Sequence, residues 1–463
     1  MLLGALKMIF ILRNIWPPGP SIDAIRINTR IEGILCLRCR VRMPLWTAIT
    51  SSFKSFSTRA PGGTRVSETW ENATLFPSNG FKVIGADQLI EEEELPDYQA
   101  DRFYPVRLGD VFQNRYQAVA KLGFGSSSTS WLARDLRDHQ YVTLKVNVHT
   151  SLVHRELPVY SHIASRMVGD LHRGQGNIRR LLDSFEIAGV YGRHLVLVFE
   201  AAQMSLRDMK MVFRQEGFEE DFVRGAITEL LQALDFLHTH GEVVHTDVHP
   251  GNLLLGAYDN QLFQKFEEKE FASPVPRKLI SSARTIYLSR LMRPKEGPML
   301  LSDFGEARIG PGPHGGDIMP LEYRAPETLL YIGWSYPVDI WSVGLAAWDL
   351  IEPRKLFTAR DDDGDLYDAA HLAQLIAALG PPPPDYLAKN SERRAEFWDE
   401  QGNWLGLAPI PHGRTMEALE TRLENKSDFL RFIRRALTWI PGERATAKEL
   451  LQDPWLTGEV PRN

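Results

Sequence analysis

The chain has 463 residues, 43% hydrophobic and 24% charged, with a formal net charge of −6. That length allows one large domain of roughly 250–350 residues plus extensions. The mild acidity leaves no basic footprint for nucleic acid and suits a basic partner, while two cysteines, Cys36 and Cys39, exclude a disulfide framework and lack the second pair a zinc site needs.

Residues 1–65 hold ten Lys/Arg against two Asp/Glu and are rich in Ser and Thr. Lys7 and Arg13 interrupt the opening apolar run, well short of the roughly 20 apolar residues that span a bilayer, so no membrane span is expected. The composition fits either a mitochondrial presequence or a poorly packed basic tail. Residues 66–103 turn acidic, with four consecutive glutamates at Glu91–Glu94, and read as a solvated linker.

From Tyr104 the pattern changes. Residues 115–122, 129–135 and 140–146 alternate as three antiparallel strands. Residues 154–165 then read as a helix with Pro158 in its first turn, and 177–187 and 194–200 as two further strands. Residues 104–200 thus form a small β-rich lobe. After Glu200 the chain turns helical: Phe222, Val223, Ala226, Ile227, Leu230, Leu231, Leu234 and Leu237 recur at helical spacing. More helices are expected near 337–352, 367–379, 427–439 and 446–452. The class is α+β and bilobal, with residues 201–456 as the larger lobe and the cleft at the junction.

The residues that carry chemistry cluster at that junction. In "KLGFGSSSTSW" (121–131), after Leu122, Gly123 and Gly125 let the backbone approach phosphates. Ser128 and Ser130 follow at the next cleft-facing places. Lys145 ends the third strand, where it can hold phosphates, with Glu156 as its candidate ion-pair partner. "HTDVHPGN" (245–252) has the spacing of a phosphoryl-transfer loop. Asp247 is the candidate to accept the attacking hydroxyl's proton, and His249 stands beside it. Asn252 and, in "LLSDFGEAR", Asp303 are oxygen donors for a magnesium ion on ATP. Taken singly each is a plausible surface residue; the combination is what points to phosphoryl transfer.

The set resembles the protein kinase superfamily. "PLEYRAPETLL" carries the A-P-E segment at Ala325, Pro326 and Glu327, "DIWSVG" (339–344) the helix that braces the catalytic loop, and Arg444 the partner of Glu327. The resemblance implies ATP between the lobes, under a bulky Phe199 and against a hinge at Glu200–Ala202. It narrows to the SR-protein kinases, fungal branch: "HTD" in place of H-R-D, serine at the third glycine place, and an insert at 256–298. It implies a Ser/Thr kinase of Arg-Ser-rich proteins such as splicing factors, monomeric and located in cytoplasm and nucleus, or in mitochondria if the basic segment is a presequence. Candidate acidic residues for such substrates are Glu219, Glu220, Asp221 and the run 360–365.

Several positions depart from the usual pattern. His249 replaces a lysine; lysine is fully charged at neutral pH and histidine only partly so, which predicts a pH-dependent transfer. Thr246 replaces the arginine that binds an activation-loop phosphate, and between Asp303 and Glu327 only Tyr323 carries a hydroxyl. Both halves of a phospho-switch are missing, which predicts an activation segment ordered without phosphate. Two rivals remain at this level: a small-molecule phosphotransferase, from the His-Pro-Gly-Asn sequence, and a nucleotide-binding scaffold with negligible turnover.

Overall fold

The computed structural model describes residues 73–150, 155–169, 171–361 and 363–458; the basic segment and both cysteines lie outside the described residues. The small lobe is a six-stranded antiparallel sheet in the order β1-β2-β3-β4-β6-β5. Its strands are β1 (Val111–Phe112), β2 (Tyr116–Phe124), β3 (Ser128–Asp135), β4 (Gln140–Asn147), β5 (Leu181–Ala188) and β6 (Arg193–Glu200). Register shifts interrupt the β2–β3 ladder between Ala118 and Ala120 and between Lys121 and Gly123, the kind of irregularity that bends and twists a strand next to a site. The Gly125 N–H to Ser128 carbonyl bond, 2.8 Å, closes the loop between them.

Helix α1 (Glu156–Met167) follows, with Pro158 in its first turn as the sequence predicted. Its buried Val159, Tyr160 and Ile163 share a core with Phe199 of the sheet and with Leu230, Leu234 and Phe304 of the large lobe. One apolar cluster therefore spans the junction and fixes α1 relative to both lobes.

The large lobe is built on α2 (Leu206–Phe213), capped by Ser205, and α3 (Glu220–Phe236). The inward face of α3 is the predicted one, with Val223, Ala226, Ile227, Leu230, Leu231 and Leu234 buried. Two short hairpin-like pairs frame the catalytic loop: β7 (Val243–Val244) with β12 (Arg308–Ile309), and β8 (Leu253–Leu255) with β11 (Met299–Leu301). Beyond lie α5 (Pro337–Ile351), almost wholly buried, α6 (Asp368–Leu379) and α7 (Lys426–Ala436).

Between β8 and β11 the insert is ordered. It forms α4 (Gln261–Ala272) and the hairpin β9 (Arg277–Leu279)–β10 (Thr285–Tyr287). Phe263 and Phe266, one turn apart on α4, pack with Val119, Leu132 and Tyr141 of the sheet. Ile286 and Tyr287 join Trp131, Val142 and Ile84 in a second small-lobe cluster.

The expectation of a solvated run at Glu91–Glu94 needs correction. These residues form a short 3-10 helix, and Glu91 and Glu92 are only 4% and 5% exposed. Glu92 pairs with Lys121 of β2, itself 1% exposed, and Glu91 lies 3.3 Å from the same ammonium. Glu91 also accepts from the Ser289 N–H (2.8 Å) and hydroxyl (2.6 Å), and Glu93 takes Lys278 at 2.9 Å. The physical reason is partner supply: buried carboxylates are tolerated where cations and donors meet them, and here β2 and the insert provide both.

Candidate active site

A cleft of about 380 Å³ opens between the lobes. Its roof is Leu122 to Ser128 and Ser130, its inner wall Thr143, Lys145, Glu156, Tyr160, Arg179 and Phe199, and its floor Asn252, Leu254, Ser302 and Asp303. Of the sequence-predicted residues, Leu122, Gly123, Gly125, Ser128, Ser130, Lys145, Glu156, Phe199, Ala202, Asn252 and Asp303 all line it. Glu200 does not: its carboxylate turns away to accept the Arg180 N–H at 2.7 Å. Asp247 and His249 stand just outside the lining, joined to it through Asn252.

Lys145 is the link across the cleft. Its Nζ lies 2.7 Å from Glu156 Oε2 and 3.0 Å from Asp303 Oδ1. Glu156 is the first residue of α1, so the short interval from Lys145 suffices. Desolvation would lower the Lys145 pKa, but Asp303 and Glu156 outweigh it and raise it above the ordinary lysine value. Burial raises Glu156, with Lys145 opposing; at Asp303 burial also acts upward, but Lys145 prevails and the carboxyl ends below its usual range.

The catalytic loop is held from behind. Asp339, fully buried at the start of α5, accepts from the backbone N–H groups of His245 and Thr246 at 2.8 Å each, and His238 reaches it at 2.9 Å. Thr246 and Asp303 adopt left-handed backbone, φ +69° and +66°; such conformations persist where the surroundings over-determine them. Asn252 Nδ2 donates to the Asp247 carbonyl (2.9 Å) and Oδ2 (3.0 Å), while among the described residues its Oδ1 takes no hydrogen bond. Phe304 packs 5.0 Å from Tyr160 and 4.7 Å from His245, which places Asp303 toward Lys145.

His249 Nδ1 accepts the Gly251 N–H at 3.0 Å, and Nε2 lies 3.5 Å from Asp247 Oδ2. Those contacts aim the ring at Asp247. At Asp247 burial acts to raise the pKa, but the His249 contact prevails and lowers it, so the carboxylate stays ionised.

The activation segment is tied to the large lobe by two hydrogen bonds and a buried ion pair. The Thr246 hydroxyl donates to the Glu306 carbonyl at 2.8 Å. Tyr323 is 5% exposed and its hydroxyl donates to Asp349 at 2.6 Å. Glu327 receives both Arg444 nitrogens, at 2.6 and 2.7 Å, with both side chains fully buried.

Some cleft residues had no sequence signal. Arg290, Leu291 and Met292 of the insert line its outer edge. The Arg290 N–H donates to the Lys121 carbonyl (3.0 Å), and the Gln203 side chain grips both the carbonyl and N–H of Lys295, at 3.0 and 2.7 Å. The insert thus crosses from the glycine-loop strand to the hinge. Arg179, on the inner wall, was also missed.

Comparisons with known proteins agree with this arrangement. The model of the family described as "Protein kinase domain" matches residues 116–456. A serine/threonine protein kinase of Aspergillus fumigatus is 41% identical, over 82% of this chain and 94% of its own. SRSF protein kinase 3 of Homo sapiens is 25% identical, over 83% of this chain and 93% of its own. A crystallised kinase domain superposes with a TM-score of 0.61 at 22% identity, covering 77% of this chain and 99% of that one. Among the described residues no helix is long and apolar enough to cross a membrane.

Proposed function

Since the chain belongs to the protein kinase family, we propose that it is a serine/threonine kinase that transfers the γ-phosphate of Mg-ATP to serines in Arg-Ser-rich proteins. The observation that carries the kinase reading is the convergence of Lys145, Glu156, Asp303 and Asn252 on one interlobe cleft, with Asp247 held at its edge by Asn252.

The division of labour follows from the contacts. Asp247, kept ionised, would orient the substrate hydroxyl and take its proton as the new O–P bond forms and ADP leaves. Lys145, already fixed by Glu156, would meet the α and β phosphates below the open backbone of Gly123 and Gly125. A magnesium ion suits the donor set: the Asp303 carboxylate and the unengaged Asn252 Oδ1 are oxygen donors beside the phosphate end of the cleft. When bound, the ion would neutralise triphosphate charge.

Arg-Ser substrates are favoured by the likeness to relatives named SRSF protein kinases and by the net charge of −6. Asp363 and Asp365 are exposed and close a turn with Arg360 and Asp361. Glu220 is a weaker candidate, because Arg224 and the Trp455 N–H already hold it, at 2.6 and 2.8 Å. The test is transfer of label from γ-labelled ATP to an Arg-Ser repeat peptide, with a Ser-only peptide, choline and an aminoglycoside as controls. Preferential labelling of the repeat that disappears in Asp247→Ala is the expected result. Equal labelling of the Ser-only peptide would sink the substrate assignment, and labelling that survives Asp247→Ala would sink the mechanism.

A further inference from the structure

The inner wall of the cleft carries a cation that phosphoryl transfer does not use. Arg179 precedes β5, and its backbone N–H is fixed on the Leu301 carbonyl at 2.9 Å. The side chain is half-buried and lines the cleft, with the guanidinium carbon 4.8 Å from the centre of the Phe199 ring. Nε and Nη2 both donate to the carbonyl oxygen of Glu200, at 3.3 and 3.2 Å. Among the described residues no carboxylate forms an ion pair with it. Its charge is therefore spent on a backbone oxygen at the hinge, with donor capacity left over from its five N–H groups.

The position of a purine in this cleft follows from the site's polarity. The phosphates belong at Gly123, Gly125, Lys145 and Asp303, so the base lies at the other end, against Phe199 and Ala202. N9 bears the ribose and points back toward the phosphates. The opposite, Watson–Crick edge, carrying N1 and the 6-substituent, then faces the hinge and the Phe199–Arg179 corner. There, among the described residues, the N–H and C=O of Ala202 make no backbone hydrogen bond, so they can pair with N1 whether it is an acceptor or a donor. The 6-position instead meets the Arg179 guanidinium, which lines the cleft and covers the Glu200 carbonyl behind it. A 6-amino group is a donor and competes with Arg179 for that oxygen. A 6-oxo group is an acceptor and pairs with the guanidinium itself, the same chemistry by which arginine reads the O6 of guanine in nucleic acids.

We infer that Arg179 reads the 6-position of the purine and lets the site take a 6-oxopurine nucleoside triphosphate as phosphoryl donor beside ATP. The reaction is the one proposed above, on which this inference rests: the serine Oγ–P bond forms, the bond from Pγ to the β–γ bridging oxygen breaks, and the nucleoside diphosphate leaves. Arg179 acts on donor choice and takes no proton.

The experiment uses the full chain, a phosphoacceptor peptide and three donors: ATP, inosine triphosphate and GTP. Inosine triphosphate is the primary probe because it lacks the 2-amino group of GTP and so isolates the 6-oxo edge. The wild-type kcat/KM for inosine triphosphate should fall within about tenfold of that for ATP, a hydrogen bond to a charged group being able to offset the mismatch. In Arg179→Val the ratio of the two should drop about ten- to a hundredfold. In Arg179→Lys, which keeps a donor, most of the ratio should survive. A purely structural arginine would lower both donors alike and leave the ratio unchanged, and that result overturns the inference. So does a wild-type ratio below that tenfold window, which needs no variant to fold. Transfer from ATP alone therefore defeats this inference and spares the kinase reading; transfer from no nucleotide defeats both.

Discussion

The two lobes bury charge for different ends. In the large lobe, Arg444–Glu327 and the Asp339 carboxylate are fully buried and hold segments of the catalytic machinery to the helical core. Beside the small lobe, Lys121 ties Glu91 and Glu92 to the sheet, Lys278 with Glu93 ties the insert to the N-terminal segment, and Glu270 with Arg290 and Arg277 closes the insert on itself. The first set braces parts that every transfer step needs. The second fastens the N-terminal segment and the insert around the glycine-loop strand, the element that must stay placed over a nucleotide. A buried ion pair adds little net stability but is expensive to break on one side, so each set works as a latch. The difference teaches where each latch should fail.

The largest expected effect is at Arg444. Arg444→Met leaves Glu327 buried without its two donors, and breaking a buried pair from one side costs about 3–5 kcal/mol. The upper end applies here, since both side chains are fully buried and the arginine also bonds the Thr438 and Pro337 carbonyls. Urea denaturation measures it. Hydrogen exchange should accelerate around Glu327 and α5 first, with β2 and β3 protected until global unfolding.

Lys121→Met reverses that pattern. It strands Glu91 and Glu92, at the lower end of the same range of about 3–5 kcal/mol, because Glu91 keeps both bonds to Ser289. Exchange should accelerate at residues 84–103 and 277–290, while the KM for ATP rises more than in Arg444→Met. Identical exchange maps for the two variants would dissolve the distinction between the latches.

A pH test probes the large lobe alone. Burial pushes His371 of α6 down to about 4, with its Nε2 on the Arg324 carbonyl at 3.0 Å. A histidine near 6.5 in the unfolded chain binds protons there that the folded protein refuses. Stability is therefore full above pH 6.5 and declines as pH falls toward 4, by roughly 3 kcal/mol if the whole difference is expressed. Melting followed from pH 7.5 to 5 should show this slope, and His371→Gln should flatten it. A slope unchanged in the variant would assign the acid sensitivity elsewhere.

How much of this the sequence showed depended on who supplies the partner. Lys145, Asp247, Asn252 and Asp303 were legible because their spacing is set by loops that leave little freedom, whereas Arg444 was paired with Glu327 only through the resemblance to protein kinases. The alternation of β2 to β4 and the apolar stripe of α3 exposed the lobes directly. The glutamates 91–94 read as solvated because four acids in a row have no apolar periodicity, and one partner, Ser289, lies 198 residues away. Arg179 was hidden because two adjacent arginines before a strand do not reveal which one faces inward. The insert was legible only as added length at 256–298, although Phe263 and Phe266 mark a buried helix face once the sheet is there to receive them.

The smallest effect tests the large lobe's remaining tie, the one made without charge. Thr246 occupies the place of a phosphate-binding arginine and closes onto the Glu306 carbonyl at 2.8 Å, while Tyr323 donates to Asp349 from within the core. A segment held this way gains nothing from phosphorylation, so phosphatase treatment should leave the transfer rate unchanged. Thr246→Val removes one hydrogen bond, about 0.5–1.5 kcal/mol, and should lower kcat modestly with little change in the KM for ATP, because the bond orders the activation segment and touches neither Lys145 nor the hinge. A rate that collapses after phosphatase treatment would mean that order in residues 303–327 is conferred by a phosphate after all, and the large lobe would then share with the small one a dependence on added charge.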